Sequence, residues 1–130
     1  MTIGNRWKNK FEQYNPVAKY RRKKMQSKLR NRNISFLTPN CLGGILYHDL
    51  GLEFMSPTIN LMMTQKDFVK FILNMDKYLA KSLIFFKHEK YACPCAKLDD
   101  IMICFTHYET EEEAEKKWKK RIKRINRNDI

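Results

Sequence analysis

Three features of the sequence predict an α/β layered domain with a largely parallel sheet flanked by helices. Apolar runs of strand length alternate with stripes at helical spacing, the order that builds such a layer. The runs at residues 83–86 and 101–105 are apolar on both faces, as strands covered by helices on each side are. The length of 130 residues leaves room for one domain with a modest core.

The elements follow in order. Pro16 is placed to open a helix at its first turn, and residues 17–32 are rich in Lys and Arg with Tyr20, Met25 and Leu29 as their few apolar members. Ile34, Phe36 and Leu37 make a short apolar run ended by Pro39, and Ile45, Leu46, Asp49 and Leu50 then fall at helical spacing, so a strand, a tight loop and a helix are expected. Residues 59–63 read as a short strand. Thr64 is placed to cap a helix whose stripe is Phe68, Phe71, Ile72, Met75 and Leu79, with Asp67 as the capping-box acid. Residues 87–100 read as the connection between the strands at 83–86 and 101–105. Thr110 and Glu113 form a capping box for a last helix with Ala114, Trp118, Ile122 and Ile125 on one face, acids at its start and bases at its end.

The formal net charge of +12 is uneven. Residues 1–33 hold eleven Lys/Arg against one Glu, residues 34–110 hold seven against eight acids, and residues 111–130 hold eight against five. A basic arm over residues 1–32 is therefore set against a nearly neutral domain over residues 33–130. The arm has few aromatic residues and matches no nucleic-acid motif, so nucleic acid is not an expected partner. An anionic membrane surface, met through residues 17–32, is a partner that the arm's charge suits, with a solvated, weakly docked helix as the ordinary alternative. No apolar run approaches the ~18 residues that span a bilayer, and the first 33 residues are too charged for a signal peptide. A cytoplasmic protein with reduced cysteines, peripheral on the inner face of the membrane, is expected.

The loop Pro39-Asn40-Cys41-Leu42-Gly43-Gly44 carries the most chemistry. A strand-to-helix loop presents backbone N–H groups and the positive end of a helix dipole, which suit an anion, and paired glycines let a ligand approach. There is no Gly-Lys-Ser/Thr and no spaced second glycine, so no nucleotide fingerprint is present and no cofactor is expected. Cys41 stands at a helix amino end, a place that favours a thiolate, with packing under the glycine turn as the ordinary alternative. His107 follows the run 101–105 at the end where ligands of open parallel sheets bind, and is the better partner for Cys41 as base; His48 falls about two turns along the helix, roughly 10 Å away. Cys93, Cys95, Cys104 and His107 suggest a zinc set, but one residue between the first two cysteines is tighter than usual, and no metal is expected. Asp99 and Asp100 precede a strand and point to opposite faces, with a turn role open to either.

The motifs Asn40-Cys41-x-Gly43-Gly44, Leu50-Gly51-Leu52, Ser56-Pro57-Thr58, Leu98-x-Asp100-Ile101, Phe105-x-His107-Tyr108, Lys117-Trp118 and Arg124-Ile125-Asn126 resemble, in this order, the DUF1919 family. That family is associated with exopolysaccharide and capsule biosynthesis in bacteria. The resemblance implies a part in that pathway. The candidate site rests on the residues themselves, with His107 and Cys41 as catalytic candidates and Asn40, Gly43, Gly44, Ser56, Thr58, Asp100 and Tyr108 as binders of an anion or saccharide, because the resemblance supplies a pathway and no mechanism. The resemblance further implies a strand beyond Asn126, where this chain has Arg127 and ends at Ile130. Two functions fit: a sugar-modifying transferase acting on a nucleotide- or lipid-linked sugar, and a non-catalytic saccharide- or phosphate-binding module that associates with the membrane or a partner enzyme.

Overall fold

The computed structural model describes residues 15–130; the first part of the basic arm, with Trp7 and Phe11, lies outside them. Helix α1 spans Pro16–Ser27, opened by Pro16 and by the Asn15 side chain, which accepts from the Val17 N–H. None of its residues is buried. It lies along α2, Leu42–Leu50, and the Gln26 side chain donates to the Leu50 carbonyl. Gly51, at φ +64°, ends α2 in the left-handed conformation that glycine adopts without cost. Thr64 caps α3, Gln65–Leu73, by accepting from the Asp67 N–H at 3.1 Å, and the short α4, Met75–Leu79, follows after Asn74. Strands β1 (Ile84–Phe86), β2 (Cys95–Leu98) and β3 (Ile101–Cys104) precede α5, Glu111–Ile122, which Thr110 caps by accepting from the Glu113 N–H.

The sheet corrects the expected fold. Its order is β1-β2-β3 and both pairings are antiparallel, so the largely parallel sheet is not formed. The reason is that β2 divides the expected connection: a parallel pair needs a crossover of about a dozen residues or more, and only residues 87–94 join β1 to β2. Asp99 and Asp100 are the whole turn between β2 and β3, with Asp99 at φ 58°. Residues 34–37, expected as a strand, belong to no ladder among the described residues, and residues 59–63 contribute one bridge, Met62 to Cys104.

Strand alternation divides the sheet into two faces. Ala96, Leu98, Ile101 and Ile103 point into the main core, where they meet Leu61, Phe71, Tyr78, Phe105 and Trp118. Cys95, Lys97, Met102 and Cys104 fall on the other face. Burying a large apolar side chain stabilises by roughly 1.5–3 kcal/mol, so this cluster is the main source of stability. Asp67 does not close a capping box; its carboxylate accepts from the Met102 N–H at 3.2 Å and pins α3 to β3.

A second cluster holds the chain ahead of α2. The fully buried Tyr47 stacks against Phe36 and Phe54, and its hydroxyl donates to the Ile34 carbonyl and accepts from the Phe36 N–H. The closing segment lies beside the same stretch: the Ser35 N–H donates to the Asp129 carbonyl, and the Asn126 N–H to the Ser35 hydroxyl. Arg121, buried on α5, packs over Phe54 and Tyr108 and so joins the two clusters.

Candidate functional site: a cysteine–histidine pair

Cys41 Sγ lies 3.1 Å from His107 Nε2 and 3.5 Å from Thr106 Oγ1. Three residue types with mobile protons thus meet at one point, and the fold explains why. Beyond β3, the Tyr108 N–H donates to the Phe105 carbonyl and closes a turn with Thr106 and His107 at its corners. Phe105 and Tyr108 are buried on either side of those corners, and the Arg121 guanidinium donates to the Tyr108 hydroxyl and to the Ile59 carbonyl. Both flanks are anchored, so the exposed side chains of Thr106 and His107 project from a fixed base.

The other half arrives through Met62 and Met63. Cys104 exchanges both backbone hydrogen bonds with Met62, and the Met63 N–H donates to the Pro39 carbonyl at 2.8 Å. Pro39 is thereby fixed beside the end of β3, two residues before Cys41. Thr38 completes the turn by donating to the Asn40 carbonyl and accepting from the Gly43 N–H. Cys41 is the residue before α2 and makes no side-chain cap, which leaves its half-buried thiol to His107.

The remaining expected site residues fall into three groups. Asn40 and Gly43 stand beside the pair, but their roles are partly taken: the Leu42 N–H donates to Asn40 Oδ1 and the Gly43 N–H to Thr38 Oγ1. Two first-turn donors that an anion would use are therefore already satisfied. Gly43 and Gly44 serve close packing, since a Cβ would stand 2.9 Å from Thr38 Oγ1 at the first and 3.0 Å from Asn60 Oδ1 at the second.

Ser56, Thr58 and Tyr108 are buried and tie chain segments together. Thr58 Oγ1 accepts from the Thr38 N–H, and Ser56 Oγ accepts from the Thr58 N–H. Burial raises the Tyr108 phenol above its ordinary pKa. Asp100 lies at the opposite end of β3 from His107, on the order of 20 Å away at the rise of a strand. Its carboxylate accepts from Lys70 Nζ at 2.6 Å and from the Tyr78 hydroxyl at 2.7 Å, which hold it down at about 2. It fastens the β2–β3 turn to α3 and α4. His48 is on α2 beside Asp49, away from the thiol.

Thr106 and Thr38 were not singled out by the sequence, and neither was Arg121. Thr106 occupies the unassigned position of Phe-x-His-Tyr, and its place beside the histidine is the only sequence signal for it. Among the described residues no three or more His, Cys, Asp or Glu side chains are grouped to hold a metal. The surface hollows along α5 (Glu112, Lys116, Lys120; about 430 Å³) and around Phe86 and Tyr91 (about 510 Å³) share no residue with the pair.

The model of a domain of unknown function, DUF1919, matches residues 12–130. The chain belongs to the DUF1919 family. The match takes in α1. A curated protein of Haemophilus influenzae, described as uncharacterized, is 40% identical over 101 residues, which cover 78% of this DUF1919 chain and 48% of the relative. The chain thus spans about half the length of the curated relative it matches. Among the described residues of this DUF1919 member, no helix is long and apolar enough to cross a membrane.

Proposed function

We propose that this protein is a transferase of bacterial exopolysaccharide or capsule assembly, with Cys41 as nucleophile and His107 as its acid–base partner, acting on a nucleotide- or lipid-linked sugar. The observation that carries the reading is the 3.1 Å contact between a half-buried thiol and an exposed imidazole, within the reach expected of a nucleophile and its base. In this scheme the Cys41 proton passes to His107 Nε2 and the thiolate attacks the donor carbon. The leaving group departs with the proton from His107, and the same nitrogen then takes the proton of the acceptor hydroxyl that releases Cys41. The open setting suits a large donor or acceptor, since the pair is approached from solvent on the Thr106 side.

A second observation supports association with an anionic membrane surface on the cytoplasmic side. The docked side of α1 carries Arg22 and Gln26 against Gly51. Helical spacing then turns Val17, Tyr20 and Lys24 outward, with Val17 62% and Tyr20 67% exposed. A basic helix presenting a few apolar side chains suits a surface of anionic lipid, where a lipid-linked sugar resides.

The test is to incubate the protein with nucleotide sugars, polyprenyl-phosphate sugars and acyl thioesters, reading thermal shift and intact mass. The reading predicts stabilisation by one donor class and an adduct on Cys41 that Cys41→Ser does not form. Stabilisation without an adduct, unchanged in Cys41→Ser and His107→Ala, would leave a binding module and end the catalytic reading.

A further inference from the structure

We propose that Cys95 and Cys104 form a cross-strand dithiol that closes to a disulfide, a covalent site distinct from the Cys41–His107 pair. The two residues are register partners in β2 and β3. Cys104 gives its backbone N–H and carbonyl to Met62, on the side away from β2. Cys95 and Cys104 are therefore a non-hydrogen-bonded pair, the kind whose Cα atoms approach to about 4.5 Å, within the range that a disulfide spans. Both side chains fall on the same face of the sheet, opposite the main core, and their sulfurs are 2.9 Å apart.

The half-buried Cys93 lies against them, its carbonyl accepting from the Cys95 thiol. The pair is thus placed for a bond that needs no change of register.

The oxidant is a small-molecule disulfide such as oxidised glutathione. The two protein thiols lose two protons and two electrons, and one S–S bond forms between Cys95 and Cys104. The S–S bond of the oxidant breaks, and two small thiols leave carrying the protons. Burial governs the rate: it pushes the Cys95 thiol up to about 12 and also raises Cys104 and Cys93, so closure is slow and quickens as pH rises. The consequence reaches the other site, because the Cys104 backbone holds Met62, and Met63 holds Pro39. A bond at Cys104 braces the strand end from which both Cys41 and His107 are hung.

The experiment treats the whole chain with oxidised glutathione over hours at mildly alkaline pH, then blocks free thiols under denaturing conditions and digests without reductant. Trypsin cuts after Lys90 and Lys97, so the bond joins residues 91–97 to the peptide bearing Cys104, and fragmentation between Cys93 and Cys95 tells which thiol of the first peptide is bonded. The expected results are that joined pair, a Tm higher by roughly 5–10 °C, and loss of both in Cys95→Ala and in Cys104→Ser. Two variants keep the contrast readable if one folds poorly. The proposal is overturned if Cys41 or Cys93 takes up glutathione while Cys95 and Cys104 stay free, or if the bond recovered joins Cys93 instead.

Discussion

Replacing Tyr47 by Phe removes one oxygen from the second cluster and leaves its packing in place. That oxygen serves two backbone groups, donating to the Ile34 carbonyl at 2.8 Å and accepting from the Phe36 N–H at 2.9 Å. Among the described residues no strand pairs with residues 34–37, and the fully buried Tyr47 takes the place of a ladder partner there. Each buried group left unsatisfied costs about 1–3 kcal/mol, and the residues bearing these two are only half buried, so water recovers part of the loss. The expected cost is about 2 kcal/mol. In a domain of this size that lowers Tm by roughly 10 °C. Urea unfolding followed by tryptophan fluorescence reads it directly, since Trp118 is in the core. The slope against denaturant should not change, because the same surface is exposed on unfolding. A loss below about 0.5 kcal/mol would refute the idea that Tyr47 holds this segment.

Three further outcomes follow from the same contacts. Gly43→Ala should cost about 1–2 kcal/mol, because the new methyl meets Thr38 Oγ1 at 2.9 Å and that stiff side chain must give up two hydrogen bonds; equal stability of variant and parent in urea would show that the turn has slack. Asp100 is held at about 2 against an ordinary 3.8, so its contribution to stability is present above pH 4 and is lost as pH falls towards 2. Hydrogen bonding to Asp100 is the leading cause that raises Tyr78 from 10.0 to about 12 and also raises Lys70, so stability falls as pH climbs through that range. Asp100→Asn should flatten both limbs of a Tm-against-pH profile, and an unaltered profile would contradict the assignment. Deleting residues 1–27 should weaken binding to vesicles rich in anionic lipid, with the difference shrinking in high salt, while the melting temperature moves little because α1 buries none of its residues.

The helix starts were legible because their signals are local, although the stripe read as one helix from Phe68 to Leu79 is broken at Asn74 and the last helix ends at Ile122, short of Ile125. Thr64 and Thr110 cap where the spacing of polar and apolar residues puts them, and Gly51 ends α2. The sheet was not, because its decisive element is weak in propensity: Cys95-Ala96-Lys97-Leu98 has no β-branched or aromatic residue, and the Asp99-Asp100 turn lacks a glycine although Asp99 takes a left-handed φ. With β2 hidden in a connection, the sequence reads as a largely parallel sheet in which residues 34–37 and 101–105 would be the parallel neighbours that bring Cys41 and His107 to one rim. Asp100, expected to bind ligand or to serve a turn, is in the turn, at the other end of β3 from His107. Cys41 and His107 do meet, but by a route the sequence conceals: a single bridge at Met62 and one hydrogen bond to Pro39 replace the parallel pairing. Arg121 was invisible for a related reason. Amid Lys119, Lys120 and Lys123 it reads as one more solvated base, and only the packing of Phe54 and Tyr108 around it reveals a buried anchor.

The central claim is that His107 activates Cys41, and the rate of Cys41 alkylation tests it most directly. Iodoacetamide at neutral pH, with sites resolved by peptide mass, reports the thiolate made available at each cysteine. Cys41 should react fastest of Cys41, Cys93, Cys95 and Cys104, and His107→Ala should slow it by on the order of tenfold or more while leaving Cys93 unchanged. Equal rates at Cys41 with and without the imidazole would contradict the claim, and would reduce the 3.1 Å contact to packing at the surface.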